Sequence, residues 1–143
     1  MAITQTMCTS FKRALLDGEM DFSSNTSQSY KIALYTSSAT LDATTTVYTT
    51  TNEVSGTGYT AGGAALTIST APTTSGTTAY LSFSNATWGS STITARGALI
   101  YQVGGTTPAV AVLDFGSDKS TSNATFQVTF PTADATTAIV RVA

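Results

Sequence analysis

The chain has 143 residues, of which 10% are charged and 41% hydrophobic, with a formal net charge of −2 and a pI near 4.7. This length is enough for one domain that buries about two-thirds of its unfolded surface, so we predict a single domain over residues 1–143, with residues 1–24 as an N-terminal helical arm. The acidic balance argues against a nucleic-acid partner, because affinity for phosphate backbones needs clustered Lys and Arg.

The chain has no histidine and one cysteine, Cys8. Histidine supplies most general bases near neutral pH and most zinc ligands, so its absence excludes Ser-His-Asp and Cys-His sites. We therefore predict no enzyme activity, no cofactor and no metal, and we expect Cys8 to be a passive thiol. Residues 1–10 lack the features of a secretory signal, and no apolar run approaches the ~18 residues of a membrane span. We expect a protein made in the cytoplasm, with no membrane partner.

A short amphipathic helix is predicted near the N-terminus, capped by Thr9 or Ser10 and ended by Gly18. Its apolar residues follow at i, i+3, i+4 spacing and are Phe11, Ala14 and Leu15. The adjacent cations Lys12 and Arg13 are expected on its solvated side. Such a helix packs on its own domain or docks onto a neighbour, and the sequence leaves both open.

The acidic cluster Asp17, Glu19 and Asp21 follows this helix and resembles an alternating calcium loop. An EF-hand also needs a glycine at the sixth position and a glutamate at the twelfth, and these places hold Phe22 and Gln28. We therefore favour a solvated turn between the helix and the first long strand.

The longest glycine-bearing segment runs from Glu53 to Ile68 and contains Gly56, Gly58, Gly62 and Gly63. Because glycine enters positive φ without steric cost, we predict two sharp turns before a strand resumes at Ala64. A phosphate-binding interpretation fails, since no lysine and no helix follow as a P-loop or a dinucleotide fingerprint would require.

Alternating apolar residues predict a succession of strands with no helical pattern between them. The predicted strands are Tyr30 to Tyr35, Ala64 to Ser69, Ala79 to Phe83, Ile93 to Tyr101, Ala109 to Phe115, Phe126 to Phe130 and Ala138 to Val142, with a possible edge strand around Val47 and Tyr48. Thr70 to Thr78 is predicted to be a loop, Gly89 to Ser91 a turn, and Gly104-Gly105 a hairpin connection. The pattern predicts an all-β fold, an antiparallel β-sandwich or jelly-roll-like domain with one short helix.

Three single residues are candidates for chemistry within these strands. Asp114 is either a buried acid with a raised pKa or a residue that caps a turn. Arg96 is expected to pair with a carboxylate such as Glu53 or Asp114, in this chain or in a neighbouring subunit. Trp88 would stack on a sugar if exposed, but its position favours a plug at one end of the core.

Two segments, Lys31 to Thr67 and Ala86 to Tyr101, carry a resemblance to a family of small virion structural proteins of tailed bacteriophages. The shared pattern is K-x-A-L-Y-T … E-V-x-G-x-G-Y-x-x-G-G, followed by W … T-x-R-G-A-x-I-Y. The runs Phe11 to Phe22 and Leu113 to Ser120 also fit.

This resemblance implies a role in a virus particle. We expect a capsid decoration or cement protein on the capsid exterior, which binds the major capsid protein and copies of itself as a homo-oligomer, a trimer at local symmetry points. The alternative is a tail, neck or head-fibre component, or a receptor- or carbohydrate-binding module that uses Trp88, Tyr48 and Tyr59.

Overall fold

The computed structural model describes residues 2–143, and within them it contains ten strands and one helix. In chain order these are β1 (Thr6–Met7), α1 (Thr9–Asp17), β2 (Tyr30–Tyr35), β3 (Ala64–Leu66), β4 (Ile68–Ser75), β5 (Thr78–Phe83), β6 (Ala86–Ser91), β7 (Thr94–Gln102), β8 (Ala109–Ser120), β9 (Ala124–Val128) and β10 (Val140–Val142). All strand pairs are antiparallel. The predicted all-β, sandwich-like fold with one short helix is confirmed.

The strands form three sheets. The largest has the order β1-β8-β7-β2-β3, a second has the order β10-β5-β4, and a third contains β6 and β9. Strand β7 lies between β8 and β2, with Leu99 opposite Ala33 on one side and Val112 on the other. This central position agrees with its sequence, in which both faces become apolar towards Ile100.

Helix α1 packs on its own domain, since Phe11 and Ala14 are buried in the core. The prediction that Thr9 or Ser10 caps it is wrong, because Cys8 occupies that position without a side-chain cap. The amide of Cys8 donates to the carbonyl of Val110, so pairing with β8 continues up to the first turn of the helix. Gly18 ends the helix in the left-handed conformation, as predicted.

An aromatic cluster joins α1 to the sheets. The ring of Phe22 stacks on Tyr30 of β2 with centroids 4.4 Å apart, and it meets Phe11 of α1 edge-on at 5.8 Å. Phe83 of β5 contacts both Phe22 at 6.3 Å and Phe130 at 5.9 Å. Large rings thus fill the space between the helix, the five-stranded sheet and the three-stranded sheet, where apolar burial stabilises the fold most.

The prediction of a loop from Thr70 to Thr78 is wrong. Most of this segment belongs to β4, which pairs with β5 through a turn at Gly76 and Thr77. Pro72 is tolerated because β4 is an edge strand and its register shifts between Thr70 and Thr73. A proline that suggested a loop therefore marks an irregular edge.

The prediction of a turn from Gly89 to Ser91 is also wrong, because these residues continue β6. A register shift between Trp88 and Ser91 accommodates Ser90, whose φ is +48°. The glycine and serine residues therefore bend the strand without ending it. Around Val47 the possible edge strand is reduced to a single bridge with Pro108.

Candidate functional site

The glycine segment forms the two turns that its sequence predicts. The amide of Tyr59 donates to the carbonyl of Gly56 at 3.2 Å, and the amide of Gly63 donates to that of Thr60 at 3.0 Å. Strand β3 begins at Ala64, directly after the second turn. The segment is thus a double turn between strands, as expected.

Three glycines of the segment lie where a side chain cannot fit. A Cβ at Gly58 would lie 2.7 Å from the Cα of Ser91, and one at Gly56 would lie 2.6 Å from the carbonyl oxygen of Thr92. A Cβ at Gly63, which has a φ of +80°, would overlap the carbonyl of Ile32 in β2. The double turn is therefore pressed against its neighbours, backbone to backbone.

The carboxylate of Glu53 lies inside the double turn and accepts three hydrogen bonds. Oε1 accepts from the hydroxyl of Tyr59 at 2.6 Å and from the amide of Gly62 at 2.7 Å, while Oε2 accepts from the hydroxyl of Tyr48 at 2.6 Å. Short bonds to an ionised oxygen are among the stronger hydrogen bonds in proteins. We call Glu53, Tyr48, Tyr59, Gly62 and Tyr101 the Glu53 cluster.

The remaining contacts tie the Glu53 cluster to the large sheet. The hydroxyl of Tyr101 in β7 donates to the carbonyl of Gly62 at 2.6 Å, and its ring stacks on Tyr48 with centroids 4.6 Å apart. The hydroxyl of Tyr59 also accepts from the amide of Leu34 in β2 at 2.9 Å. The carboxylate of Glu53 thus binds two tyrosines and the turn at Gly62, and Tyr101 contacts the turn and Tyr48.

Burial, with the negative charge of Glu53 acting in the same direction, raises the pKa values of the tyrosines around this carboxylate. The pKa is raised above the ordinary value for Tyr48, Tyr59 and Tyr101, and also for Tyr35, whose hydroxyl donates to the carbonyl of Thr49. The phenols therefore stay protonated at neutral pH and act as donors. The Glu53 cluster contains one carboxylate, already held by three donors, so its geometry serves structure.

Arg96 pairs with Asp114, one of its two predicted partners, with Nε 3.4 Å from Oδ1. The same carboxylate oxygen accepts from the amide of Gly116 at 2.9 Å, which is the turn-capping role expected of Asp114. The register of β7 against β8 shifts at this point. Gly97 lies opposite Asp114, whereas Ala95 lies opposite Lys119. The ion pair lies at the start of that irregularity.

Trp88 is buried, with 6% of its surface exposed, and lies between Tyr59 and Phe126 at centroid distances of 6.0 Å. The predicted burial of Trp88 in the core is confirmed. The two tyrosines considered for sugar stacking, Tyr48 and Tyr59, are half-buried with their hydroxyls bound to Glu53. Trp88, Tyr48 and Tyr59 therefore make their contacts within the domain.

The acidic residues at the end of α1 and after it make separate local contacts. Asp17 pairs with Arg13 at 3.0 Å on the exposed side of the helix, beside the exposed Lys12. Asp21 accepts from the amide of Ser23 at 2.9 Å, and this bond lowers the pKa of its carboxyl. Within residues 2–143 no group of three or more His, Cys, Asp or Glu is arranged to hold a metal ion.

Cys8 is fully buried beneath α1. Burial, with the nearby charge of Asp42 in the same direction, raises the pKa of its thiol to about 11. The thiolate is the reactive form of cysteine, so at neutral pH this group is unreactive on both counts.

A cleft between β8 and β9 was not predicted from the sequence. Its volume is about 420 Å³, and its lining residues are Phe115, Lys119, Ser120, Thr121, Thr125, Phe126, Gln127, Val128 and Thr129. Both strands were predicted, but not that they diverge into different sheets after the short connection between them. We call this feature the β8–β9 cleft.

A second depression, of about 580 Å³, lies between α1 and the three-stranded sheet. Apolar side chains dominate its lining, among them Leu15, Pro72 and Val140. Leu16 on the same helix has 91% of its surface exposed. Leu16 does not line the depression, so the two are separate apolar surfaces.

Comparisons of the chain with protein-family models, with curated proteins and with solved structures found no match. In the part of the chain that the structure describes, no helix is long and apolar enough to cross a membrane. The functional proposal below is therefore based on the sequence segments and the geometry described above.

Proposed function

We propose that this protein is a non-enzymatic structural component of a bacteriophage virion, a decoration or cement protein on the outside of the head shell. The observation that carries the proposal is the Glu53 cluster. The segments on which the resemblance to phage structural proteins depends supply Glu53, Tyr59, Gly62 and Tyr101, and all four are used in internal contacts. The resemblance therefore concerns the architecture of a rigid domain, which suits a particle component.

The proposed mechanism is adhesion to the shell. The domain would bridge adjoining capsomers through uncharged hydroxyl and apolar surface, so that expansion or internal pressure must break these contacts as well as those of the shell. Exposed apolar side chains suited to such contacts are Leu16, Val47, Val103 and Val142. Burying them would contribute about 25 cal/mol for each Å² of apolar area removed from water.

Copies of the protein are proposed to bind each other as well as the major capsid protein, as a trimer at local symmetry points. The low charge of the chain gives weak electrostatic protection against association, and the β4 edge offers unpaired backbone groups. Light scattering in the micromolar range should detect a homo-oligomer. A strictly monomeric protein would contradict self-association.

The location is tested by quantitative mass spectrometry and antibody labelling of purified particles. We expect hundreds of copies per particle and label over the head. A few dozen copies or fewer, with label at the neck, tail or fibres, would favour the appendage role instead. Absence from particles would overturn the proposal.

A further inference from the structure

The β8–β9 cleft separates two strands that are consecutive in the chain and belong to different sheets. Strand β8 pairs with β7 in the five-stranded sheet, and β9 pairs with β6 in the two-stranded sheet. The connection between them, from Thr121 to Asn123, is short. The register of β8 against β7 shifts between Asp114 and Lys119.

One edge of β9 faces this cleft without a strand partner. Its other edge pairs with β6 from Ala86 opposite Val128 to Ser91 opposite Ala124, and within residues 2–143 no third strand joins this sheet. An unpaired strand edge presents a row of backbone N–H and C=O groups that template the addition of another strand. Four of the five residues of β9, Thr125 to Val128, line the cleft together with the following Thr129, so this edge is accessible from it.

The side chains of the cleft add a chemical preference to this edge. Phe115 is half-buried against Phe126, with centroids 6.2 Å apart, and presents the rest of its ring to the opening. Lys119 is the only charged residue in the lining. Among the described residues, carboxylate pairs within 4.0 Å involve Arg13 and Arg96, so Lys119 lacks an acidic partner at that distance.

We propose that the β8–β9 cleft binds an extended segment of a partner protein, which adds a strand to the open edge of β9 and places a carboxylate beside Lys119. Strand addition of this kind takes its affinity from backbone hydrogen bonds and its specificity from alternate side chains. An apolar residue of the segment would cover Phe115. The site goes beyond the proposed role in the virion and does not depend on it.

The dimensions of the cleft fit such a segment. Five residues of β9 span about 17 Å at roughly 3.4 Å per residue, so a partner strand of five to seven residues covers the edge. The cleft beside this edge has a volume of about 420 Å³. A strand that belongs to a folded copy of this domain would bring its own neighbours with it, whereas an extended segment adds only its own backbone to the edge.

The test uses the full-length protein, labelled with ¹⁵N, and a capped peptide of sequence Thr-Val-Glu-Val-Thr-Val-Thr. We expect the amide signals of residues 115–129 to shift on titration, and the amides of β9 to gain protection from hydrogen exchange. Two further peptides carry N-methyl groups on alternate residues, each set blocking the donors of one edge. Methylation of the edge that faces β9 should abolish binding, and methylation of the opposite edge should reduce it less.

A charge exchange tests the role of Lys119. The variant Lys119→Glu should bind the glutamate peptide about fivefold more weakly, and a peptide with lysine in place of glutamate should recover the loss. The matched control is Lys12→Glu on the exposed side of α1, which makes the same change in net charge away from the cleft. It should bind both peptides as the parent does.

Four outcomes would overturn the proposal. These are no signal change at residues 115–129 at millimolar peptide, equal binding of both methylated peptides and the parent peptide, an equal loss in the Lys12→Glu control, and concentration-dependent protection of β9 without peptide. The last result would show that a second copy of the chain occupies the cleft.

Discussion

The Glu53 cluster and the β8–β9 cleft differ in whether their polar groups have bonding partners within the domain. In the Glu53 cluster one carboxylate accepts three hydrogen bonds and the glycine turns touch neighbouring backbone. In the cleft the edge of β9 has no strand partner within residues 2–143, and Lys119 has no described carboxylate within 4.0 Å. Satisfied buried groups stabilise a fold, while unsatisfied groups at a surface are available to a partner. Mutations in the Glu53 cluster are therefore expected to change stability, and mutations in the β8–β9 cleft are expected to change binding.

Alkaline pH is expected to change the stability of the protein the most, because it deprotonates the buried tyrosines of the Glu53 cluster and its surroundings. Burial raises the pKa of Tyr30 to about 12, and the pKa values of Tyr35, Tyr48, Tyr59 and Tyr101 are raised as well. Below pH about 10 the phenols are protonated in the folded and unfolded chains alike, so their contribution is fully present. Above it the unfolded chain loses protons first, and stability should fall by at most roughly 1.4 kcal/mol per pH unit for each phenol.

Denaturant titrations from pH 8 to pH 12 measure this loss. The variant Tyr59→Phe removes one of the phenols and should flatten the slope above pH 10, although it lowers stability at neutral pH. Cys8 acts in the same direction, since burial raises its pKa to about 11. A free energy of unfolding that stays constant up to pH 12 would contradict the buried tyrosine network.

The next largest effect is expected from Gly63→Val. The new side chain would overlap the carbonyl of Ile32 and strain a backbone held at a φ of +80°. We expect a loss of roughly 3 kcal/mol or more in the free energy of unfolding and, on the proposed function, reduced incorporation into particles. A Gly63→Val protein that melts like the parent yet fails to assemble would show that the segment is a contact site.

Substitutions at two other glycines distinguish the effect of steric overlap from the effect of backbone strain. Gly105→Val meets open space at a φ of +57° and should cost about 1–2 kcal/mol through backbone conformation alone. Gly89→Val has neither an unfavourable φ nor a close neighbour, so the change should stay within about 0.5 kcal/mol. Thermal melting of the three variants gives the order directly.

Removal of the central carboxylate by Glu53→Ala is expected to cost roughly 2–3 kcal/mol. The hydroxyls of Tyr48 and Tyr59 and the amide of Gly62 would lose their shared acceptor. Glu53→Gln retains one acceptor oxygen and nearly the same volume, so its loss should be about half as large. Urea unfolding at pH 7 measures both, and equal losses would mean that side-chain volume matters more than the hydrogen bonds.

A small effect is also expected from Arg96→Ala. The ion pair with Asp114 is partly exposed on both sides, with side-chain exposures of 36% and 29%. Pairs of this kind contribute under about 1 kcal/mol. A loss much above this value in the same urea assay would show that the pair controls the register shift of β8 and not only its local geometry.

The sequence was sufficient to predict the strands with a clear pattern of apolar residues and the turns whose positive φ requires glycine. Strand β7 has apolar residues on both faces, which only a central position accommodates. The glycines at 56, 58, 62 and 63 predicted two turns because other residues rarely adopt positive φ. Asp114 was one of two predicted partners for Arg96 and was confirmed.

The long-range arrangement of the site was not predictable. Glu53 meets Tyr48 and Tyr59, five and six residues away, because the intervening chain folds back on itself, and Tyr101 joins from a distant strand. No local pattern encodes such a meeting. The β8–β9 cleft lies between strands of different sheets, and the alternation that marks a strand does not say which sheet the strand joins. Pro72 was misleading for a related reason, since an irregular edge tolerates a residue that a central strand would exclude.

Cys8 makes the protein convenient to label. Its thiol is the only one in the chain, is fully buried and is protonated at neutral pH. A cysteine introduced at the exposed Thr87 of β6 would therefore react alone with a maleimide dye or a spin probe. Each copy would carry one probe at a known position on a sheet, so that distances between copies become measurable by fluorescence transfer or pulsed electron resonance.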